Sequence, residues 1–417
     1  MRILSIGGGP AGLFTSILAK KAFPAAQCVV LERNRPDDTF GWGVVFSRET
    51  LGNIRDADPA SYAEIERAFA LWDDIETHFR GTCEVSTGHG FCGLARKRLL
   101  QILHARCTDL GIDVRFQREV PDAETVRGEA DLVLGADGVN SLVRARYEST
   151  FRPEIRWGRT RFCWLGTTLP LRAFTFVFKP SQYGLFTVHA YPFEPGLSTW
   201  IVEAAEDTWR RAGLDRATEE QTVAFCEDLF RDDLRGHGLL TNRSTWRSFP
   251  TIRCERWSHG NVVLMGDAVH TAHFSIGSGT KLAMEDAIAL VDAMKRLGTG
   301  DVPAVLAEYE RSRRDEVARL QRSADVSREW FEECGRWQGL DPVQFQFHLM
   351  TRSKRITYDN LAKRDPPFVA RVAAWFRESS GAPLASDGTV PPPMFTPFTL
   401  RGLTLPNRVV VSPMCQY

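Results

Sequence analysis

Apolar residues dominate first in a short run over 2–6, at Ile3, Leu4 and Ile6. Beyond a glycine-rich turn at 7–12 they recur at helical spacing to about residue 22. A second run, CVVL within QCVVLER, carries the chain to Glu32. Runs of this length read as buried strands and the spaced segment as a helix, so the opening predicts a strand, a helix and a second strand. Leu99, Leu100, Leu103 and Leu110 mark a later helical stripe closed by Gly111, after which IDVRF and ADLVLGADG return to strand. Between about 33 and 95 the pattern predicts a Gly-aromatic loop, FGWGVVFS, and a helix around 60–72.

From 155 to 255 the pattern changes to short alternating runs, FTFVFK, GLFTVHAY and LSTWIVEA, broken by Pro and Gly. Alternation with these breakers predicts an antiparallel sheet inserted into the first domain. NVVLMGDAVH then reads as another buried strand, and Met284, Ala287, Ile288, Val291 and Met294 lie on one face of the helix behind it. A long charged amphipathic helix is expected over 303–333 and further helix to about 378. GAPLASDGTVPPP reads as a linker, stiff at its proline end. The expected fold class is α/β. It consists of a Rossmann-like domain built from 1–154 and 256–335, a mostly antiparallel substrate-binding sheet at 155–255, and C-terminal helices at 336–380. The linker covers 381–393.

Chemistry enters at the turns. Gly7, Gly9 and Gly12 stand in G-x-G-x-x-G register between strand and helix, with an acid, Glu32, about 20 residues further on. That combination predicts a dinucleotide site: Gly7 for the tight turn, Gly9 for approach of a pyrophosphate, Gly12 for helix packing, and Glu32 for a ribose. Two distant strands both end in Gly and Asp, one at Gly135, Asp137 and Gly138, the other at Gly266 and Asp267. Arg96, Lys97 and Arg98 crowd the first turn of a helix, which its dipole disfavours unless an anion lies there. A solvated basic face is the alternative.

Composition narrows the classes. The 417 residues suffice for two or three domains, and 52 basic against 52 acidic residues leave no net field for nucleic acid or an anionic membrane. No apolar run approaches membrane-spanning length, and the opening strand is not a signal peptide, so a cytoplasmic location is expected. Nine cysteines without a C-x-x-C pair and nine histidines without H-E-x-x-H spacing argue against disulfides and metal.

GGGPAG, LVLGADGVNSLVR and VVLMGDAVH together resemble the three fingerprints of the group A FAD-dependent aromatic hydroxylases, the para-hydroxybenzoate hydroxylase-like fold, over about residues 1–335. The resemblance implies that FAD binds along Gly7, Gly9, Pro10, Ala11, Gly12, Glu32 and Arg33. It also implies contacts from Arg96 or Arg98, from Asp137 and Gly138, and from Gly266 and Asp267. Gly277, Gly279 and Thr280 would present a helix N-terminus to the flavin. Lys281 would meet a flavin carbonyl or a substrate anion, or stand as a surface lysine. Thr271 replaces the proline many relatives carry. His189, Tyr183 and Tyr191 are candidates to line the ring, whereas His270 and His273 read as structural.

TFGWGVVFS and the 266–287 segment resemble the branch acting on aromatic acyl-CoA thioesters, salicylyl-CoA or 2-aminobenzoyl-CoA. That implies NAD(P)H as co-substrate, O2, a flavin hydroperoxide and hydroxylation at ring C5. Alternatives left open are a hydroxylase of a free aromatic acid or phenol, and a flavin- or CoA-binding fragment without turnover. MFTPFTLRGLTLPNRVVVSPMCQY, from 394, resembles the start of an old yellow enzyme barrel, which presents Pro413, Met414 and Cys415 to FMN in that family. With the rest of such a barrel absent, the chain reads as a shortened member without an FMN site or FMN reductase activity.

Overall fold

A computed structural model describes residues 1–39, 41–48 and 51–412 of the chain. The strands Arg2–Ile6 and Gln27–Glu32 pair in parallel, and the helix Pro10–Ala22 crosses between them. Leu13, Phe14 and Ile17 of that helix are fully buried. Burial of each such side chain contributes roughly 1.5–3 kcal/mol, enough to seat the helix against the helices Arg96–Asp109 and Gly279–Leu297. The sheet grows on both sides to six strands. Val262–Leu264, Leu132–Gly135, Arg2–Ile6, Gln27–Glu32 and Asp113–Phe116 run parallel, and Ser258–His259 turns back along the edge.

The second sheet has seven strands. Thr160–Thr167, Leu197–Ala205, Gly184–Glu194 and Phe174–Ser181 form its antiparallel centre. Two more strands, Ile75–Phe79 and Thr82–Ser86, extend it from the N-terminal part of the chain, the first of them in parallel with Phe174–Ser181. This sheet is therefore not confined to residues 155–255.

Two further expectations change. Part of the FGWGVVFS loop is a strand, Gly43–Ser47, paired with Phe91–Ala95, because Val44 and Phe46 alternate inward and are buried. The helix expected near 60–72 is Pro59–Arg67, with Asp58 accepting from the Ser61 N–H, and it stops short because Ala70–Trp72 joins Phe91–Ala95 as a strand.

Asp301 caps the 31-residue helix Val302–Glu332 through the Ala304 N–H. Helices Pro342–Thr351, Tyr358–Arg364 and Pro366–Ser379 then return to the second sheet. Phe345 stacks on Phe79 at 3.8 Å, and Gln346 donates to the carbonyls of Ile75 and Glu84. Asp365 accepts from the Thr87 N–H and caps its own helix at Phe368. The tail forms the hairpin Phe398–Leu400 and Leu403–Leu405. Pro413, Met414 and Cys415 lie outside the described residues. No helix among the described residues is long and apolar enough to cross a membrane.

Candidate active site

Three adjacent parallel strands, Arg2–Ile6, Leu132–Gly135 and Val262–Leu264, end at the same edge of the six-stranded sheet. The Gly7, Asp137–Gly138 and Gly266–Asp267 turns therefore emerge side by side, at the edge where parallel sheets bind ligands. Close packing dictates two of the glycines. At Gly7, φ is +109° and a Cβ would stand 2.3 Å from the Ala136 carbonyl oxygen; at Gly12 a Cβ would stand 2.3 Å from the Gly7 oxygen. Gly9 differs, because a Cβ there would meet nothing within 4 Å and would project into open space.

That space is a cleft of about 210 Å³ between the two sheets. Gly9, Pro10, Ala11, Gly138, Gly266 and Asp267 line its floor, and Arg96 reaches it from one side. Gly277, Gly279 and Thr280 bring up the first turn of the helix Gly279–Leu297, whose free N–H groups favour negative charge. Protein encloses Asp267 except toward the cleft, where it is exposed; burial raises its carboxyl and Arg96 pulls the other way.

The opposite wall is aromatic. Trp164, Phe174, His189 and Tyr191 come from the seven-stranded sheet, with Phe249 and Phe274 beside them. His189 is 1% exposed, and its Nε2 lies 2.9 Å from Oε2 of Glu203, equally buried. Thr160 donates to the other Glu203 oxygen at 2.6 Å. Burial pushes the His189 pKa down against the pull of Glu203. Burial alone would raise the Glu203 carboxyl, but His189, His273 and Thr160 hold it below the usual range. The pair is thus a carboxylate and a neutral imidazole. Since a carboxylate only accepts, the imidazole hydrogen sits on Nε2 and Nδ1 keeps a lone pair.

Among the described residues that Nδ1 has no hydrogen-bond partner, nor do the buried Trp164 Nε1 and Ser278 Oγ. All three residues line the one cleft. Buried polar atoms are almost always paired, so three unpaired ones on one cavity fit a polar ligand.

Other sequence candidates stand elsewhere. Asp137 does not line the cleft; its carboxylate accepts from Ser141 Oγ at 2.5 Å and the Val143 N–H at 3.1 Å, fixing the turn. Glu32 accepts from the Gly8 N–H and from Asn34, behind the glycine turn, and Arg33 is exposed. Arg98 faces a separate groove. Lys281 pairs with Glu285 and lines a neighbouring cavity. Tyr183 is a correction: it sits on the hairpin turn before the strand Gly184–Glu194 and packs on Phe225. At about 3.3 Å per residue, six residues of strand hold it roughly 20 Å from His189. Tyr191 does line the cleft, but its hydroxyl donates to the Gly43 carbonyl at 2.9 Å. Thr271 holds the backbone in the place of a proline, accepting from the Ile252 N–H and donating to the Pro250 carbonyl.

Sequence reasoning missed the residues that hold the turns. Asp286, fully buried, accepts from the Gly266 N–H and from Arg313 Nε, both at 3.0 Å. Burial alone would raise its carboxyl; His270, 2.9 Å away, and Arg313 outweigh that and hold it low. Arg144 donates to the carbonyls of Val139 and Ala268, joining the second and third turns. His273 contacts Ser275, and burial pushes it down to about 4. The available signal was charge in the wrong place: Asp286 inside an apolar helix face and Glu203 inside an apolar strand.

The sequence pattern of the FAD binding domain matches residues 1–324. Salicyloyl-CoA 5-hydroxylase of Streptomyces sp is 43% identical over 98% of this chain and 79% of its own length. The 3-hydroxy-4-methyl-anthranilyl-(aryl-carrier protein) 5-monooxygenase of Streptosporangium sibiricum is 34% identical over 87% of this chain and 97% of its own. Among solved structures, 2-methyl-3-hydroxypyridine-5-carboxylic acid oxygenase shares the fold, with a TM-score of 0.66 at 19% identity, covering 87% of this chain and 97% of that one. The cleft fits FAD on its own terms. Gly9 opens the floor, the helix end offers N–H groups to an anion, and Trp164, Ser278 and His189 leave polar atoms without partners among the described residues. The chain therefore belongs to the FAD binding domain family, as an FAD-dependent aromatic monooxygenase.

Proposed function

We propose that the protein hydroxylates an aromatic acyl-CoA thioester, salicylyl-CoA or 2-aminobenzoyl-CoA, at ring C5, taking electrons from NAD(P)H and one oxygen atom from O2. The observation that carries the reading is the His189–Glu203 pair, with a neutral, unpartnered Nδ1 in an aromatic wall. Two relatives named for aromatic acyl groups, one on CoA and one on a carrier protein, support the thioester form.

When bound, FAD relays electrons to O2 and supplies the activated oxygen. The chain's own residues do the rest. Gly9, Gly266 and the N–H groups at Gly279 and Thr280 would hold the cofactor, and the helix end would favour negative charge beside it. Phe174, Phe249 and Phe274 shape an apolar slot that orients the substrate ring and excludes water. Nδ1 of His189 accepts a hydrogen bond from the ring's ortho hydroxyl or amino group. Drawing on that proton raises electron density para to the substituent, which is C5. Glu203 fixes the tautomer that makes this possible.

The test is product analysis under 18O2 with salicylyl-CoA, 2-aminobenzoyl-CoA and both free acids, each with NADH or NADPH. The reading expects a 5-hydroxylated thioester carrying one labelled oxygen. Hydroxylation of the free acids alone, or peroxide without product, would overturn it.

A further inference from the structure

Beside the cleft lies a second cavity of about 270 Å³, and the two share Val45, Phe174, Gly277 and Ser278 in their walls. The two cavities are therefore direct neighbours. The chain as a whole balances 52 basic against 52 acidic residues, yet this cavity is lined by Lys281, Arg352, Arg355 and Arg364 and by no Asp or Glu among the described residues. Its remaining wall is largely apolar, from Phe91, Phe174, Phe176, Met350 and Ile356.

The cations differ in freedom. Lys281 pairs with Glu285 on its own helix. Arg352 has no carboxylate in hydrogen-bond reach among the described residues: it donates to the Ser275 and Leu349 carbonyls and to Ser327 Oγ, and stacks over Phe176 and Phe331. Burial pushes its pKa down to about 10, so it still carries its charge at neutral pH. Arg355 is exposed at the mouth, and its side chain has no partner among the described residues. Arg352, Arg355 and Arg364 come from beyond residue 324, where the FAD binding domain match ends. The C-terminal region therefore adds a cationic wall to a site whose floor the family domain builds.

Two other cationic surfaces fit less well. The groove at Arg156, Arg159 and Arg328 is offset by Glu329, Glu332 and Glu333. The groove at Arg67, Arg98 and Arg172 shares no lining residue with the cleft.

We infer that this second cavity receives the arm of the acyl-CoA substrate, its apolar passage holding the pantetheine chain and Arg355, at the mouth, meeting the phosphates. The assignment rests on the thioester reading above and adds where the non-reacting part of the substrate goes. An uncharged chain ending in phosphates matches an apolar passage ending in an unpaired guanidinium, which recognises phosphate through paired N–H donors.

The test is calorimetric binding to the FAD-loaded protein without NAD(P)H, using salicylyl-CoA, the phosphate-free salicylyl-pantetheine thioester and salicylate. Wild type is expected to bind the CoA thioester at least about 10-fold tighter than the pantetheine thioester. Arg355→Ala should remove most of that ratio, Arg355→Lys should keep part of it, and Arg172→Ala in the rival groove should leave it intact. Added salt should weaken the CoA thioester and leave the uncharged pantetheine thioester unchanged. Flavin content checks that each variant is folded. If Arg355→Ala keeps the wild-type ratio, or Arg172→Ala loses it, the assignment falls while the thioester substrate stands. If salicylate binds as tightly as both thioesters, the thioester reading falls and takes the assignment with it.

Discussion

Nε2 of His189 lies 2.9 Å from Oε2 of Glu203, and each residue is only 1% exposed. The carboxylate therefore decides which nitrogen of the imidazole carries hydrogen. In Glu203→Gln the amide can donate as well as accept, so the tautomer is no longer fixed. We expect kcat to fall on the order of 100-fold with flavin content retained. Steady-state product formation checks this, and a variant within 2-fold of wild type would show that the pair does not act on the ring.

The glycines of the first turn separate by cause. Gly12→Ala places a Cβ 2.3 Å from the Gly7 oxygen and from Ser5 Oγ, so the fold itself has to give. Gly9→Ala meets no protein atom within 4 Å. We expect Gly9→Ala to melt like wild type without FAD yet bind FAD about 10-fold or more weakly. Gly12→Ala should lose stability in the apoprotein. Thermal melts with and without FAD, paired with fluorescence titration, distinguish the two.

Asp286 and Arg313 form a buried pair that also holds the Gly266 N–H. Asp286→Ala leaves Arg313, 4% exposed, with less compensation and frees a donor in the third turn. Loss of one partner of such a pair costs about 3–5 kcal/mol. Glu285 and Glu316 also contact Arg313, which places the expected loss at the lower end. Urea unfolding measures it.

Much of this architecture was legible because burial writes a period into the chain. The strands at 2–6 and at 27–32, the helix between them and the long helix from 302 to 332 follow from apolar spacing alone. The pairing of Ile75–Phe79 with Phe174–Ser181 was not, because nothing local marks two parallel strands about a hundred residues apart as neighbours. The same holds at the site. Gly9 and Asp267 announce themselves by motif, whereas Glu203 reaches His189 only because the strands Gly184–Glu194 and Leu197–Ala205 pair in one register, with His189 opposite Ile201. Tyr183 looked equivalent to Tyr191 in sequence, and only the position of the hairpin turn sets them apart.

Burial pushes both His89 and His273 down to about 4. The unfolded chain takes up a proton at each near pH 6.5, and the folded chain refuses it until about pH 4. Their contribution to stability is complete above pH 6.5 and is lost as pH falls through that window, about 2 kcal/mol per histidine by pH 5. Urea midpoints should therefore drop between pH 7.5 and 5, and His89→Gln should flatten the slope. A midpoint that rises on acidification would contradict the burial of these rings.

The central claim is that one cleft brings flavin and substrate ring together beside His189. Stopped-flow absorbance at the flavin band, with NADH or NADPH mixed into FAD-loaded enzyme with and without salicylyl-CoA, tests it most directly. The expected result is flavin reduction accelerated at least about 10-fold by the thioester, an acceleration weakened in His189→Ala. Reduction at one rate with and without the aromatic ligand, and the same in His189→Ala, would contradict it.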